Sequence, residues 1–163
     1  MINFKNKGAL SIAYAAVIAA VYVVLTLIFA PISYGPIQVR VSEALCVLPI
    51  FTPAAVPGIF IGCLLANALG GAIIWDVVFG SLASLAAAYI SYLFRNKRVL
   101  AYLSPIVINA LVVPFVLKYA YGAEDMIWYM MFTVAAGEII SVGILGSILS
   151  IVLEKYRGIL FRE

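Results

Sequence analysis

The chain has 163 residues, 66% of them hydrophobic and 10% charged, with ten Lys or Arg, seven Asp or Glu and no histidine. A soluble domain of this size cannot hide that much apolar surface, which excludes a water-soluble enzyme and predicts an integral membrane protein. The formal charge of +3 follows from the way basic residues orient a membrane protein, so no nucleic-acid partner is expected.

The first apolar run, residues 10–30, matches one bilayer crossing at about 20 residues. It is too long for the apolar core of a secretory signal, so it is expected to stay uncleaved. Along it Ala9 and Ala13, Ala15 and Ala19, and Ala16 and Ala20 are each four apart. Small residues at this spacing let another helix approach closely. The stripe reads either as internal packing or as a docking face for a second membrane protein.

Further apolar runs cover residues 41–51, 56–69, 77–94, 99–117 and 126–153, separated by short breaks of Pro, Gly or charge. The second and third runs are short, and residues 41–69 taken as one crossing would place Arg95, Lys97 and Arg98 outside, against the positive-inside rule. With six crossings Lys5, Lys7, Arg95, Lys97, Arg98, Lys155, Arg157 and Arg162 share one side, and only Arg40 and Lys118 lie opposite. The expectation is an all-α integral membrane protein in the cell membrane: a single domain, six transmembrane helices, both termini cytoplasmic.

Missing residues narrow the chemistry. Without histidine the chain lacks the usual general base and the commonest metal ligand. No GxxxxGK[ST] phosphate loop is present, so ATP hydrolysis by that route is excluded. Cys46 and Cys63 fall inside apolar runs and read as small buried hydrophobes rather than a disulfide or metal pair. No cofactor, metal or catalytic residue is expected. An enzyme acting on lipid head groups would need a metal or nucleophile cluster, and the acids show no such spacing.

Polar residues at membrane depth are costly and point to function. Gln38, Arg40, Ser42 and Glu43 open the second run, Asn67 closes the third, Trp75 and Asp76 open the fourth, and Asn109 and Glu138 lie within the fifth and sixth. Several of these come from adjacent outward ends, as a cavity between helices requires. Arg40 and Glu43, three apart, share a helical face and are read either as a self-neutralising pair or as a pair shared with ligand. Glu138 is read either as a structural partner of Asn109 or of a backbone group, or as a deep ligand contact. Trp75 reads as a site aromatic or a belt residue, whereas Tyr119, Tyr121, Trp128 and Tyr129 read as interfacial belt residues. Such a cavity suits a planar, nitrogen-rich molecule that stacks on an aromatic ring and donates N–H groups to carboxylates, as a guanine-like edge does.

The alanine-spaced first helix followed by Tyr34-Gly35-Pro36-Ile37-Gln38-Val39-Arg40-Val41-Ser42-Glu43-Ala44-Leu45 resembles the S-components of energy-coupling factor (ECF) transporters, in particular the queuosine-precursor branch, QueT. The resemblance extends over essentially the whole chain. It implies a membrane subunit that captures a 7-deazaguanine, such as queuine or a prequeuosine base, beneath the loop of residues 31–40. It also implies docking on a transmembrane coupling subunit with two ATPase subunits. On this reading Glu43 or Glu138 takes the guanine-like edge, Asn67 and Asn109 its carbonyl and ring nitrogens, and Trp75 stacks. Arg40 orients Glu43 or closes the lid, and Asp76 receives any cationic aminomethyl group. The alternative is a stand-alone carrier of a small nitrogenous solute, coupled to protons through Glu43, Asp76 or Glu138.

Overall fold

The computed structural model describes residues 4–33 and 39–161, and every element in it is helical. Helix α1 (Phe4–Ile28) is followed by a single turn α2 (Ala30–Ser33), a buried 3-10 helix α3 (Val41–Ile50) and α4 (Ala55–Leu69). Helices α5 (Ile74–Leu93) and α6 (Arg98–Tyr119) form an antiparallel pair, then α7 (Ile127–Lys155) and a terminal turn α8 (Arg157–Leu160) complete the chain. Among the described residues four stretches are long and apolar enough to cross a bilayer: Gly8–Ile28, α5, α6 and α7. The two short apolar runs form separate helices, α3 and α4. Gln38 lies outside the described residues, as does Arg162.

Helix α1 packs on α4, α4 on α5, α5 on α6 and α6 on α7, and α3 runs through the middle, touching all five. Nine of its ten residues are buried, and apart from Ser42 and Glu43 the segment is apolar, as a helix surrounded by others must be. A 3-10 helix rises about 2.0 Å per residue, so these ten residues reach roughly 20 Å, about 5 Å further than an α-helix of the same length. The neighbouring stretch of α7, Ile139–Gly146, is wound as a π-helix. There Gly146 admits α3, because a β-carbon at that position would lie 2.7 Å from Val47 Cγ1.

The α1–α4 contact rests on missing side chains. Gly58 and Gly62 of α4 face Ala15 and Ala19 of α1, and a β-carbon at Gly62 would stand 2.7 Å from Tyr22 Cβ and 3.1 Å from Ala19 Cα. This is small-residue packing of the kind that holds membrane helices together without a hydrophobic driving force. Serine hydroxyls join α5 to α6: Ser91 donates to the Ala101 carbonyl at 2.7 Å and Ser104 to that of Ala87 at 2.9 Å.

The chain closes at the end of the bundle where α5 turns into α6. Tyr14 Oη donates to the Leu160 carbonyl at 2.6 Å, Phe161 stacks on Phe51 at 5.5 Å, and Arg98 pairs with Glu154 at 2.6 Å. Arg95, Lys97, Arg98, Lys155 and Arg157 all lie at or beyond the helix ends that meet there. At the opposite end Lys118 Nζ donates to the Glu124 and Asp125 carbonyls and ties the α6–α7 turn.

Gly62→Ala is expected to wedge α1 from α4 and destabilise the fold by about 1–3 kcal/mol. Gly8→Ala, whose β-carbon meets nothing within 4 Å, is expected to stabilise α1 by roughly 0.5–1 kcal/mol through helix propensity. Thermal unfolding of the two purified variants checks both signs.

Candidate functional site

One polar cavity, about 200 Å³, opens between α3, α5, α6 and α7. Its wall is made by Arg40 and Glu43 at the start of α3, Asp76, Gly80 and Ser84 on α5, Asn109, Val113 and Leu117 on α6, Tyr121 in the following turn, and Val134 and Glu138 on α7. Five of the residues singled out in the sequence, Arg40, Glu43, Asp76, Asn109 and Glu138, therefore meet around one space.

Glu43 is 1% exposed and satisfied from two directions. The hydroxyl of Tyr22, a fully buried residue of α1, donates to Oε1, and Cys46 Sγ donates to Oε2 at 2.9 Å. The second bond follows from the 3-10 winding, in which residues three apart stand in line. Beside it Thr26 Oγ1 and Ser42 Oγ lie 2.7 Å apart, a second polar link between α1 and α3. Arg40 directs Nη1 toward Cys63 Sγ at 3.9 Å, so the cysteines, free and buried, also serve as soft hydrogen-bonding groups behind the wall.

Glu138 is held differently. Asn109 Nδ2 donates to its Oε1 at 2.7 Å, the pairing read as one alternative from the sequence, while Oε2 is buried with no hydrogen-bond partner. A buried carboxylate oxygen left in that state is costly unless something supplies a donor. Asp76, 9% exposed, sits nearer the opening, and Tyr121 Oη donates to its Oδ2 at 3.0 Å. A β-carbon at Gly80 would lie 2.9 Å from Asp76 Oδ1, so the glycine leaves that oxygen its room.

Two residues expected at the site lie elsewhere. Trp75 is 57% exposed, stacks on Phe79 at 6.1 Å and lines an apolar groove with Phe115 and Tyr119 on the outer surface, away from the polar cavity. Residue 75 immediately precedes Asp76, and neighbours in a helix point about 100° apart, so only one of the pair turns inward. Asn67 is fully buried behind the wall, its amide donating to the Asp76 carbonyl at 3.4 Å and to Cys63 Sγ at 3.7 Å. It braces Asp76 rather than facing the space.

Tyr22 and Tyr121 went unrecognised in the sequence. Tyr22 resembles any aromatic in an apolar span, and Tyr121 carries the signature of a belt residue. The available signal for Tyr22 was Gly58-x-x-x-Gly62, which matches the spacing of Ala15 and Ala19 and would have placed the following turn of α1 against α4. That same packing divides the alanines. Ala15 and Ala19 face α4, whereas Ala9, Ala13, Ala16 and Ala20 are exposed, within an arc of about 60° at 3.6 residues per turn.

A family model described as QueT transporter matches residues 12–155, most of the chain. The chain belongs to the QueT transporter family. The family places it among transporters rather than enzymes and, with the four long apolar helices, makes it a multi-pass membrane protein. A relative from Lactococcus lactis subsp. cremoris (strain MG1363), named Queuosine precursor transporter QueT, is 35% identical over 96 residues. That alignment spans 57% of this chain and 56% of the relative's length. No solved structure matches the chain.

Tyr22→Phe keeps the ring and removes one donor from a buried carboxylate, and is expected to cost about 1–3 kcal/mol of stability in the ligand-free protein. Unfolding measured beside the wild type checks this, and an unchanged midpoint would show that the Tyr22–Glu43 bond carries no weight.

Proposed function

We propose that the chain is the substrate-binding membrane subunit, or S-component, of an ECF-type importer, crossing the membrane six times with both ends cytoplasmic, and that its substrate is a queuosine precursor with a 7-deazaguanine core. Membership of the QueT family supports transport, and the name of the relative supports the substrate. The single observation that carries the binding mode is the partnerless Glu138 Oε2 beside the cavity.

A guanine-like edge presents two parallel N–H donors, and a carboxylate with a free oxygen accepts both. Between the two carboxylates considered for this edge, Glu138 suits it better, since both oxygens of Glu43 already accept bonds from Tyr22 and Cys46. Asn109 fixes the Glu138 rotamer, Tyr121 offers its ring to a flat heterocycle in place of Trp75, and Arg40 reaches toward the base's carbonyl. Burial of such a molecule supplies the donor that the ligand-free site lacks.

Energy for uptake comes from other polypeptides: a transmembrane coupling subunit and two ATPases. The exposed alanines of α1, Ala9, Ala13, Ala16 and Ala20, form a smooth face for the coupling subunit, whereas Ala15 and Ala19 are already occupied by α4. Ala16→Leu is expected to disrupt co-purification with the coupling subunit while leaving base binding by the isolated chain unchanged.

Calorimetric titration with queuine, 7-deazaguanine bases, guanine and riboflavin tests the substrate. Glu138→Gln is expected to weaken binding roughly tenfold to hundredfold, as loss of charge-assisted hydrogen bonds does, without lowering the stability of the ligand-free protein, because the Asn109 bond has an acceptor in Gln too and Oε2 has no partner to lose. Riboflavin binding with no response to deazaguanines would overturn the substrate. Uptake by the purified chain alone in liposomes under a proton gradient would replace the S-component with a solitary carrier.

A further inference from the structure

The outer surface of the α5–α6 pair carries a second hollow, the apolar groove that takes in Trp75, with a volume of about 440 Å³. Its rims are rings. Trp75 stacks on Phe79 at 6.1 Å along α5, and Phe115 on Tyr119 at 6.4 Å along α6. Between them Val112 is half-buried and Val116 buried, so the groove has a floor as well as sides. Two membrane helices approach closely where small residues clear the way, and four aromatic rings on the rims obstruct such an approach. A slim hydrocarbon chain passes between the rings and gains dispersion contacts on three sides, where a convex helix face offers contacts on one.

Length and charge narrow the occupant further. From Leu111 to Ala120 the groove follows α6 for nine residues, roughly 13 Å at 1.5 Å each. That is close to the hydrocarbon depth of one leaflet, half of about 30 Å. The groove ends where α6 ends, and there Lys118 stands one turn beyond Phe115 on the same side of the helix. Its Nζ donates to the Glu124 and Asp125 carbonyls at 3.3 and 3.2 Å, so it lies beside two residues whose carboxylates are exposed. One ammonium and two carboxylates give this turn a formal excess of one negative charge. A purely anionic headgroup would meet Lys118 favourably and the two acids unfavourably. A headgroup that carries both a phosphate and an ammonium finds a partner for each.

We propose that this groove is a lipid site: it seats an acyl chain of one phospholipid from the leaflet at the mouth end, and the headgroup is one that bears an ammonium group. The rings and valines hold the chain, Lys118 takes the phosphate, and Glu124 and Asp125 take the amine. The occupied groove lies on the back of the same two helices whose inner faces supply Asp76, Asn109 and Val113 to the polar cavity.

Tryptophan quenching tests this, because the chain has two tryptophans and Trp128→Phe leaves Trp75 alone to report on the groove. The full-length Trp128→Phe chain is reconstituted in phosphatidylglycerol vesicles, and phosphatidylethanolamine with brominated acyl chains replaces the host lipid in steps. A lipid without preference quenches in proportion to its share of the bilayer. The expected result is quenching that runs ahead of that share, with a relative binding constant of about threefold or more for the ethanolamine lipid, the scale of an exposed ion pair. Glu124→Gln with Asp125→Asn is expected to bring the constant to about one, and so is Val112→Phe, which fills the floor. A constant of one or less in the Trp128→Phe chain overturns the proposal, as does a preference that survives Val112→Phe. Native mass spectrometry of the wild-type chain mixed with the two lipids gives a reading that needs no variant: retention of the ethanolamine lipid ahead of the glycerol lipid is expected, and equal retention or none overturns the site.

Discussion

Placing Glu43 in the centre of an apolar bundle is the constraint around which the other helices are arranged. A carboxylate at that depth needs donors, and they come from two elements: Tyr22 on α1 and Cys46 one 3-10 turn further along α3. To deliver the Tyr22 hydroxyl, α1 must lie close to the interior, and it does so because Gly58 and Gly62 remove the side chains that would hold α4 away. The close α1–α4 contact and the polar wall of the cavity are thus parts of one arrangement. Packing without side chains on one face permits hydrogen bonding on the next.

The same economy operates on the other side of the cavity. Asn109 donates to Glu138 from α6, Tyr121 donates to Asp76 from the turn beyond it, and Asn67 secures the Asp76 backbone from α4. Each wall acid is therefore held by a neighbouring element, Glu43 also by Cys46 of its own helix, so bonds between helices help the cavity keep its shape. The deep acid is left one donor short, at a carboxylate oxygen of a residue that lines the cavity.

Much of the fold was legible because apolar runs, glycines, prolines and charges punctuate the chain at helix boundaries. The positive-inside rule applied to Arg95, Lys97 and Arg98 divides residues 41–69 into two segments rather than one, and α3 and α4 are separate helices, each shorter than the four long apolar ones. The 3-10 winding of α3 and the π-winding inside α7 left no such trace, since both are departures from the α-helix that an apolar run does not encode; the two segments meet at Gly146 and Val47. At the site, carboxylates and amides announced themselves by being out of place in apolar helices, whereas tyrosines did not. An aromatic with a hydroxyl is as ordinary at a membrane interface as in a cavity, and only its neighbours decide between them. Trp75 failed for a related reason: sequence adjacency to Asp76 suggested a shared role, and helical geometry forbids it.

The ties at the Arg98 end have a mechanical corollary. Tyr14 to Leu160, Phe51 against Phe161, Arg98 to Glu154 and the paired serine bonds of α5 and α6 cross-link nearly every helix at or near that base. At the mouth, ties among the described residues include the Tyr121 hydroxyl, which donates to Asp76 and accepts from the Ile73 amide, and the turn secured by Lys118. The bundle is built like a pair of tongs riveted at the handle: the first and last helices of the chain are fastened to each other at the end opposite the polar cavity's acids Asp76 and Glu43.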